Sequence, residues 1–203
     1  KYNIHMIADE IAVGFGRTGT MFGFEQAKIT PDIICLSKGI TGGYMTLSTI
    51  LTTDDIYDAF YGEYEKLNAF LHSHSYTANP IACSAANATL KLFEKQNTLK
   101  KNKDLSSFMG QCFESLKNHP NVSEVRQKGM VLAIELVKNK KKKISYNWKE
   151  RRGIKAYLHG LRNNVLMRPL GNVIYFMPPY VISKKQISYV SDIMKEGVDE
   201  ATK

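Results

Sequence analysis

An α/β fold followed by a smaller α+β domain is what this 203-residue sequence predicts, and three patterns carry that reading. Short apolar runs at 4–10, 33–36 and 46–51 read as strands, separated by glycine-rich turns and followed by a short helical stretch at 54–61 with acids in its first turn. Strands alternating with helices predict a layered, mostly parallel sheet. A helix begins after Asn79, which serves as cap with Pro80 at the first helical position; it runs through Ala82, Ala85, Ala86, Leu90 and Phe93. A second helical stretch covers 99–116.

Beyond it lies a different texture. Strands are predicted at 122–127, 130–137, 165–167 and 173–177, with a helix over 148–162 between them. A last amphipathic helix follows Ser183, with Ile187, Val190, Ile193, Met194 and Val198 on one face. The boundary falls in the helical connection near 94–98, giving domains 1–95 and 96–203.

Composition narrows the function classes. At 43% hydrophobic the chain can bury a core, and no run approaches the roughly 18 apolar residues of a membrane span. Cys35, Cys83 and Cys112 form no C-x-x-C pair and sit among apolar neighbours, as reduced cysteines do. The default compartment is therefore cytoplasmic. Much of the +9 formal charge sits in Lys138 and Lys140 to Lys143, one hairpin-like connection with no aromatic interleaved. That reads as a solvated loop, so neither a nucleic-acid nor a membrane partner is expected.

The chemistry concentrates at two strand ends. Ile33-Ile34-Cys35-Leu36 runs into Ser37-Lys38-Gly39, and a lysine held where a buried strand meets a glycine turn is expected to be desolvated, which makes its amine a usable nucleophile. Upstream, Ile7-Ala8-Asp9-Glu10 ends a strand in two acids. Pyridoxal phosphate asks a protein for a lysine to take its aldehyde and a carboxylate to keep its ring nitrogen protonated. Lys38 and Asp9 match those two needs. Taken singly, each also fits a plainer role, the acid capping a turn and the lysine reaching back to water.

With the intervening residues the pattern becomes specific. Ile7-Ala8-Asp9-Glu10-Ile11-Ala12-Val13-Gly14-Phe15-Gly16-Arg17-Thr18-Gly19, then Pro31-Asp32-Ile33 and Ser37-Lys38-Gly39, resembles the lysine-site signature of the class III pyridoxal phosphate aminotransferases. Thr41-Gly42-Gly43 and the run from Arg168 to Tyr180 resemble the members that make 7,8-diaminononanoate for biotin. The resemblance implies a fold-type I transferase, here part of the large domain plus the small domain. It also implies pyridoxal 5'-phosphate as cofactor and 8-amino-7-oxononanoate as acceptor. The donor would be S-adenosylmethionine or lysine, and the assembly a homodimer with shared active sites. Another class III ω-amino acid transaminase, or a catalytically silent structural module, remains the alternative. Family members carry a longer N-terminal part, with a phosphate loop and a ring-stacking aromatic, so a fragment or one half of a split chain is expected, inactive alone.

The same resemblance assigns further residues. Before the helix at Pro80, Ser73 and His74 match positions lining the substrate or cofactor site. Ser75 matches the hydroxyl that reaches the phosphate of the opposite subunit, with Thr77 as competitor. Hydroxyls and amides ahead of a helix N-terminus suit an anion in any case. Arg168 matches the arginine that binds the acceptor's carboxylate, and a guanidinium fork is suited to that task. Tyr175 lies in the same motif and is expected to help discriminate substrates.

Two rival motifs weigh less. Gly14-Phe15-Gly16-Arg17-Thr18-Gly19 satisfies a dinucleotide pattern, but that pattern needs a helix opening at the loop and an acid ending the next strand, and here Ser37-Lys38 stands there. His72 and His74 lack a third ligand at metal-binding spacing, and one is expected to pack while the other lines the cleft. No metal is expected.

Overall fold

A computed structural model describes residue 2 and residues 4–203. The chain divides into two compact units, 1–99 and 100–203. The division lies a few residues beyond the 95/96 boundary expected from sequence, at the start of a helix.

The first unit is built on a three-stranded sheet in the order β1-β2-β3, with β1 at Ile7–Asp9, β2 at Ile33–Leu36 and β3 at Thr49–Thr52. β1 and β2 are parallel, with Asp9 opposite Cys35. β3 runs antiparallel to β2, Ile34 opposite Leu51. Of the two ladders one is therefore parallel, where a mostly parallel sheet was expected. A parallel return requires a long crossover, and the link from β2 to β3 holds only the short 3-10 turn Lys38–Thr41. The crossover from β1 to β2 likewise carries a 3-10 turn, Gly23–Ala27, and no α-helix. Two α-helices follow, the short α1 (Asp54–Asp58) and α2 (Pro80–Gln96). Asn79 caps α2 as its position predicts, its Oδ1 accepting from the amides of Ile81 at 2.9 Å and Ala82 at 3.3 Å.

The core of this unit is small. Phe15, Leu36, Ile40 and Ala86 are buried together, with Met21, Phe22, Ile34, Leu47 and Phe93 packed around them. Ile4, Ile7, Ile50 and Leu71 are exposed.

The second unit opens with α3 (Thr98–Cys112) and continues through β4 (Val122–Lys128), β5 (Val131–Asn139) and β6 (Ile144–Ser145). It then runs through α4 (Arg152–Arg162), β7 (Arg168–Leu170), β8 (Val173–Phe176) and α5 (Lys184–Thr202). The sheet order is β4-β5-β8-β7, all neighbours antiparallel, and β6 pairs with β5. Alternation along β5 buries Leu132, Ile134 and Leu136 on one face. They meet Met109 and Phe113 of α3, Ala156 of α4, and Ile187, Met194 and Val198 of α5 in one core.

Two elements differ from expectation. The helix predicted over 148–162 is split by Arg151, which takes a left-handed φ of 49° between a 3-10 turn (Trp148–Glu150) and α4. The strand predicted at 165–167 lies at Arg168–Leu170; Val165 and Met167 are buried in the core instead. Apolarity there marks burial of a connection, which periodicity alone does not distinguish from a strand. α5 begins as expected at Ser183, which forms a capping box with Gln186.

Candidate active site

Parallel pairing brings Asp9 and Lys38 to the same end of the first unit's sheet. Asp9 is the last residue of β1, and Lys38 lies three residues beyond its register partner Cys35. Strand alternation separates Asp9 from Glu10. Asp9 is exposed, with Oδ1 accepting from the Ile11 amide at 3.0 Å. Glu10 turns inward and is 4% exposed. Its Oε1 accepts from the Phe24 amide at 3.0 Å, which pins the 3-10 turn of the crossover, while its Oε2 has no hydrogen-bond partner among the described residues. Glu10 is thus a positioning group that the sequence reading passed over. The signal was there: neighbours on a strand face opposite ways, so only one member of an Asp-Glu pair can serve the open face.

The glycine loop has a packing role. Phe15 takes a left-handed φ of 58° and is 3% exposed. Its ring meets Phe22 edge-on at 5.6 Å and lies directly under Gly39, where a Cβ would come within 2.9 Å of Phe15 Cδ2. The loop therefore inserts an aromatic wedge below the lysine turn, and no helix opens at its glycines. That removes the structural context a dinucleotide fingerprint requires.

Lys38 itself sits at φ 44°, in the left-handed region unusual for a side-chain-bearing residue. Its turn is tied down on both sides. Ser37 Oγ donates to the Leu47 carbonyl at 2.7 Å, Gly43 N donates to the Lys38 carbonyl at 3.3 Å, and the buried Thr41 donates to the Met45 carbonyl at 2.6 Å. Lys38 is exposed, which corrects the expectation of a desolvated amine. The amine has no hydrogen bond or ion pair among the described residues.

The turn before α2 forms a second feature of this unit. Thr77 Oγ1 accepts from the His74 amide at 3.1 Å, and His74 Nδ1 accepts from the Tyr76 amide at 3.1 Å, so the neutral ring carries its proton on Nε2. Ala78 takes φ 55° as the chain bends into the Asn79 cap. Tyr44 to Ser48 and His74, Tyr76, Thr77, Ala78 and Asn79 enclose a cavity of about 440 Å³. His74 and Thr77 line it, whereas the exposed Ser73 and Ser75 lie outside its lining. His72 stacks on Phe70 at 5.5 Å and is exposed, so neither histidine is packed inside. No group of three or more His, Cys, Asp or Glu among the described residues could hold a metal ion.

In the second unit Arg168 opens β7 and stands opposite Tyr175 of β8, its guanidinium 6.0 Å from the ring centroid. It lines another cavity of about 440 Å³ with Ile154, Tyr157, Leu166, Met167 and Pro169. Glycine makes this placement possible: a Cβ on Gly153 would fall 2.4 Å from the Gly171 carbonyl and 2.8 Å from Pro169 Cβ, so α4 packs directly on the β7–β8 hairpin.

The first unit thus ends a parallel strand pair in a carboxylate and a lysine, and the second unit carries Arg168 at the start of β7. The model of the class III aminotransferase family matches residues 1–198, and the chain belongs to that family. It is 47% identical to adenosylmethionine-8-amino-7-oxononanoate aminotransferase of Helicobacter pylori, over 99% of this chain and 45% of that protein. The same enzyme of Geobacter sulfurreducens is 43% identical, over 100% of this chain and 45% of that protein. The crystal structure of the Methanocaldococcus jannaschii enzyme superposes with a TM-score of 0.92 at 41% identity, covering 98% of this chain and 46% of that one. An ω-transaminase of Thermomicrobium roseum gives a TM-score of 0.89 at 29% identity, covering 100% of this chain and 44% of that one. The chain thus spans a little under half the length of these relatives.

Proposed function

We propose that this chain supplies the lysine-bearing part of a pyridoxal 5'-phosphate-dependent aminotransferase that transfers an amino group to 8-amino-7-oxononanoate, giving 7,8-diaminononanoate for biotin synthesis. The observation that carries the reading is the convergence of Asp9 and Lys38 at one end of adjacent parallel strands. The residues fit the cofactor. Asp9 keeps one carboxylate oxygen clear of internal hydrogen bonds among the described residues, and the amine of Lys38 is likewise unengaged.

When bound, pyridoxal phosphate supplies an aldehyde for amines and a ring that accepts electrons. Asp9 would hold the ring nitrogen in its protonated form, and the Lys38 amine would hold the cofactor and, when free, move a proton at the substrate carbon. His74 borders the cofactor, and Ser75 or Thr77 contacts a phosphate belonging to a second copy in a homodimer, a reading supported by the exposed hydroxyls and amides ahead of α2. Ser73 and Tyr175 face the substrates. Arg168 orients the acceptor's carboxylate. S-adenosylmethionine or lysine is the donor, and the compartment is cytoplasmic, in keeping with three free cysteines and the absence, among the described residues, of a helix long and apolar enough to cross a membrane.

Likeness to ω-transaminase structures leaves a second reading, another class III transaminase, but those identities lie well below those of the biotin-pathway relatives. Arg168→Ala separates the two. A charge-assisted pair contributes about 1.5–3 kcal/mol, so in the complete enzyme the variant should bind the keto acid acceptor roughly ten- to a hundredfold more weakly. The donor half-reaction, followed as the single-turnover change in the cofactor's absorption, should stay near normal. An unchanged acceptor half-reaction would remove the biotin-pathway substrate while leaving the transaminase reading standing.

A further inference from the structure

The charge of the chain is unevenly divided. Residues 100–203 hold 21 of the 28 lysines and arginines and 9 of the 19 acids, a net +12, whereas residues 1–99 sum to −3. Composition without the fold gives no reason to expect a membrane partner; the fold changes this by leaving an indole exposed shortly after the lysines in sequence.

Lys140 to Lys143 form the turn between β5 and β6, whose register pairs Asn139 with Ile144 and Val137 with Ser145. Lys140 Nζ donates to the Lys117 carbonyl, which draws Lys117 alongside. The chain leaves β6 through Tyr146, which is 6% exposed and anchored by its hydroxyl to the Thr202 carbonyl and by the Arg152 guanidinium 4.5 Å over its ring. Two residues later Trp148 points the other way, 74% exposed, in a turn held by the Asn147 cap, and Lys149 Nζ lies 5.9 Å from its ring. Ile144 is 47% exposed between the indole and the lysines in sequence. The nearby acids are engaged: Glu114 pairs with Lys117, Glu150 with Arg152 and Asp199 with His119. None of Lys140 to Lys143 pairs with a carboxylate among the described residues.

We propose that this face docks on the surface of an anionic phospholipid bilayer, lysines against the headgroup phosphates and the Trp148 indole at headgroup level. An amphipathic ring on a rigid, outward-facing turn is the kind of anchor that interfaces favour, and clustered lysines supply the second signal that reversible attachment needs. A nucleic acid fits less well. The hairpin has no arginine fork for base edges, and Trp148 offers a single exposed ring where successive bases would need several to stack on.

Trp148 is the chain's only tryptophan, so its emission reports the event directly. Titrated with phosphatidylcholine vesicles doped with phosphatidylglycerol, the 203-residue chain should sediment with them and its emission should shift to the blue. Pure phosphatidylcholine should give neither, and high salt should release the protein. Lys141→Gln, Lys142→Gln and Lys143→Gln together, all on an exposed turn, should weaken binding roughly a hundredfold with an unchanged far-ultraviolet circular dichroism spectrum. Trp148→Phe, followed by sedimentation, should weaken it without abolishing the salt dependence. Absence of vesicle binding at low salt overturns the proposal, as does binding that survives the triple substitution. Tighter binding of single-stranded RNA than of the vesicles, lost in the same variant, would overturn it in favour of a nucleic-acid surface.

Discussion

Asp9 and Glu10 differ by one methylene, and the strand gives them opposite fates. Asp9 faces the open end of the sheet; Glu10 is buried and holds the Phe24 amide. In the proposed function only the first is placed to meet the cofactor, and its use there depends on charge: a carboxylate stabilises a protonated ring nitrogen, an amide does not. Asp9→Asn in the complete enzyme should therefore retain bound cofactor, measured by absorbance after gel filtration, while turnover falls by at least about a hundredfold. Unchanged turnover would take Asp9 out of the site. The sequence made this pair visible through its position before the glycine loop. It did not reveal that Lys38 is exposed, because burial of an amine depends on layers that no local pattern encodes.

At the scale of elements, the turn carrying Lys38 is supported from below. Gly39→Ala would drive a Cβ within 3.0 Å of both Phe15 Cδ2 and Phe15 Cβ, and the latter belongs to a residue whose own backbone is already left-handed. Overpacking of this kind costs about 1–3 kcal/mol, which should appear as a lowered denaturant midpoint for the first unit, and Gly39→Ser should behave alike. A midpoint equal to that of the parent chain would show that Phe15 is no wedge. In the second unit α4 is joined to α5 by His159, whose Nδ1 lies 2.8 Å from Glu200 and Nε2 3.3 Å from Glu196, and by Arg162, which also pairs with Glu200. Arg162 first and His159 second hold the Glu200 carboxyl below its usual range. A depressed carboxyl contributes stability above its unfolded pKa of roughly 4.3 and loses it as pH falls through the lower folded value. Thermal midpoints of the parent should therefore drop more steeply below that pH than those of Glu200→Gln, the two curves converging in acid. Parallel curves would show that the cluster adds nothing.

For the molecule as a whole, the elements with caps and long periodic faces were the legible ones. Asn79-Pro80 announced α2, and the apolar face of Ile187, Val190, Ile193, Met194 and Val198 announced α5. The direction of β3 and the break at Arg151 were not legible, since each is decided by chain reversal and packing beyond a local window. Arg168 and Tyr175 were named by motif, and the fold adds that they face each other across a ladder. The lysine-rich hairpin read as a bland loop, and the fold adds that its lysines lack carboxylate partners among the described residues and that Trp148, soon after it in sequence, is exposed.

The central claim, that Lys38 is the residue which takes the cofactor, is open to one direct measurement. The complete enzyme is mixed with pyridoxal phosphate, reduced with borohydride, digested and mapped by mass spectrometry. The account predicts a single phosphopyridoxyl adduct on the peptide containing Lys38, lost together with the visible absorption band in Lys38→Ala. An adduct on another lysine of the unmutated protein, or a band that persists in the variant, would contradict it.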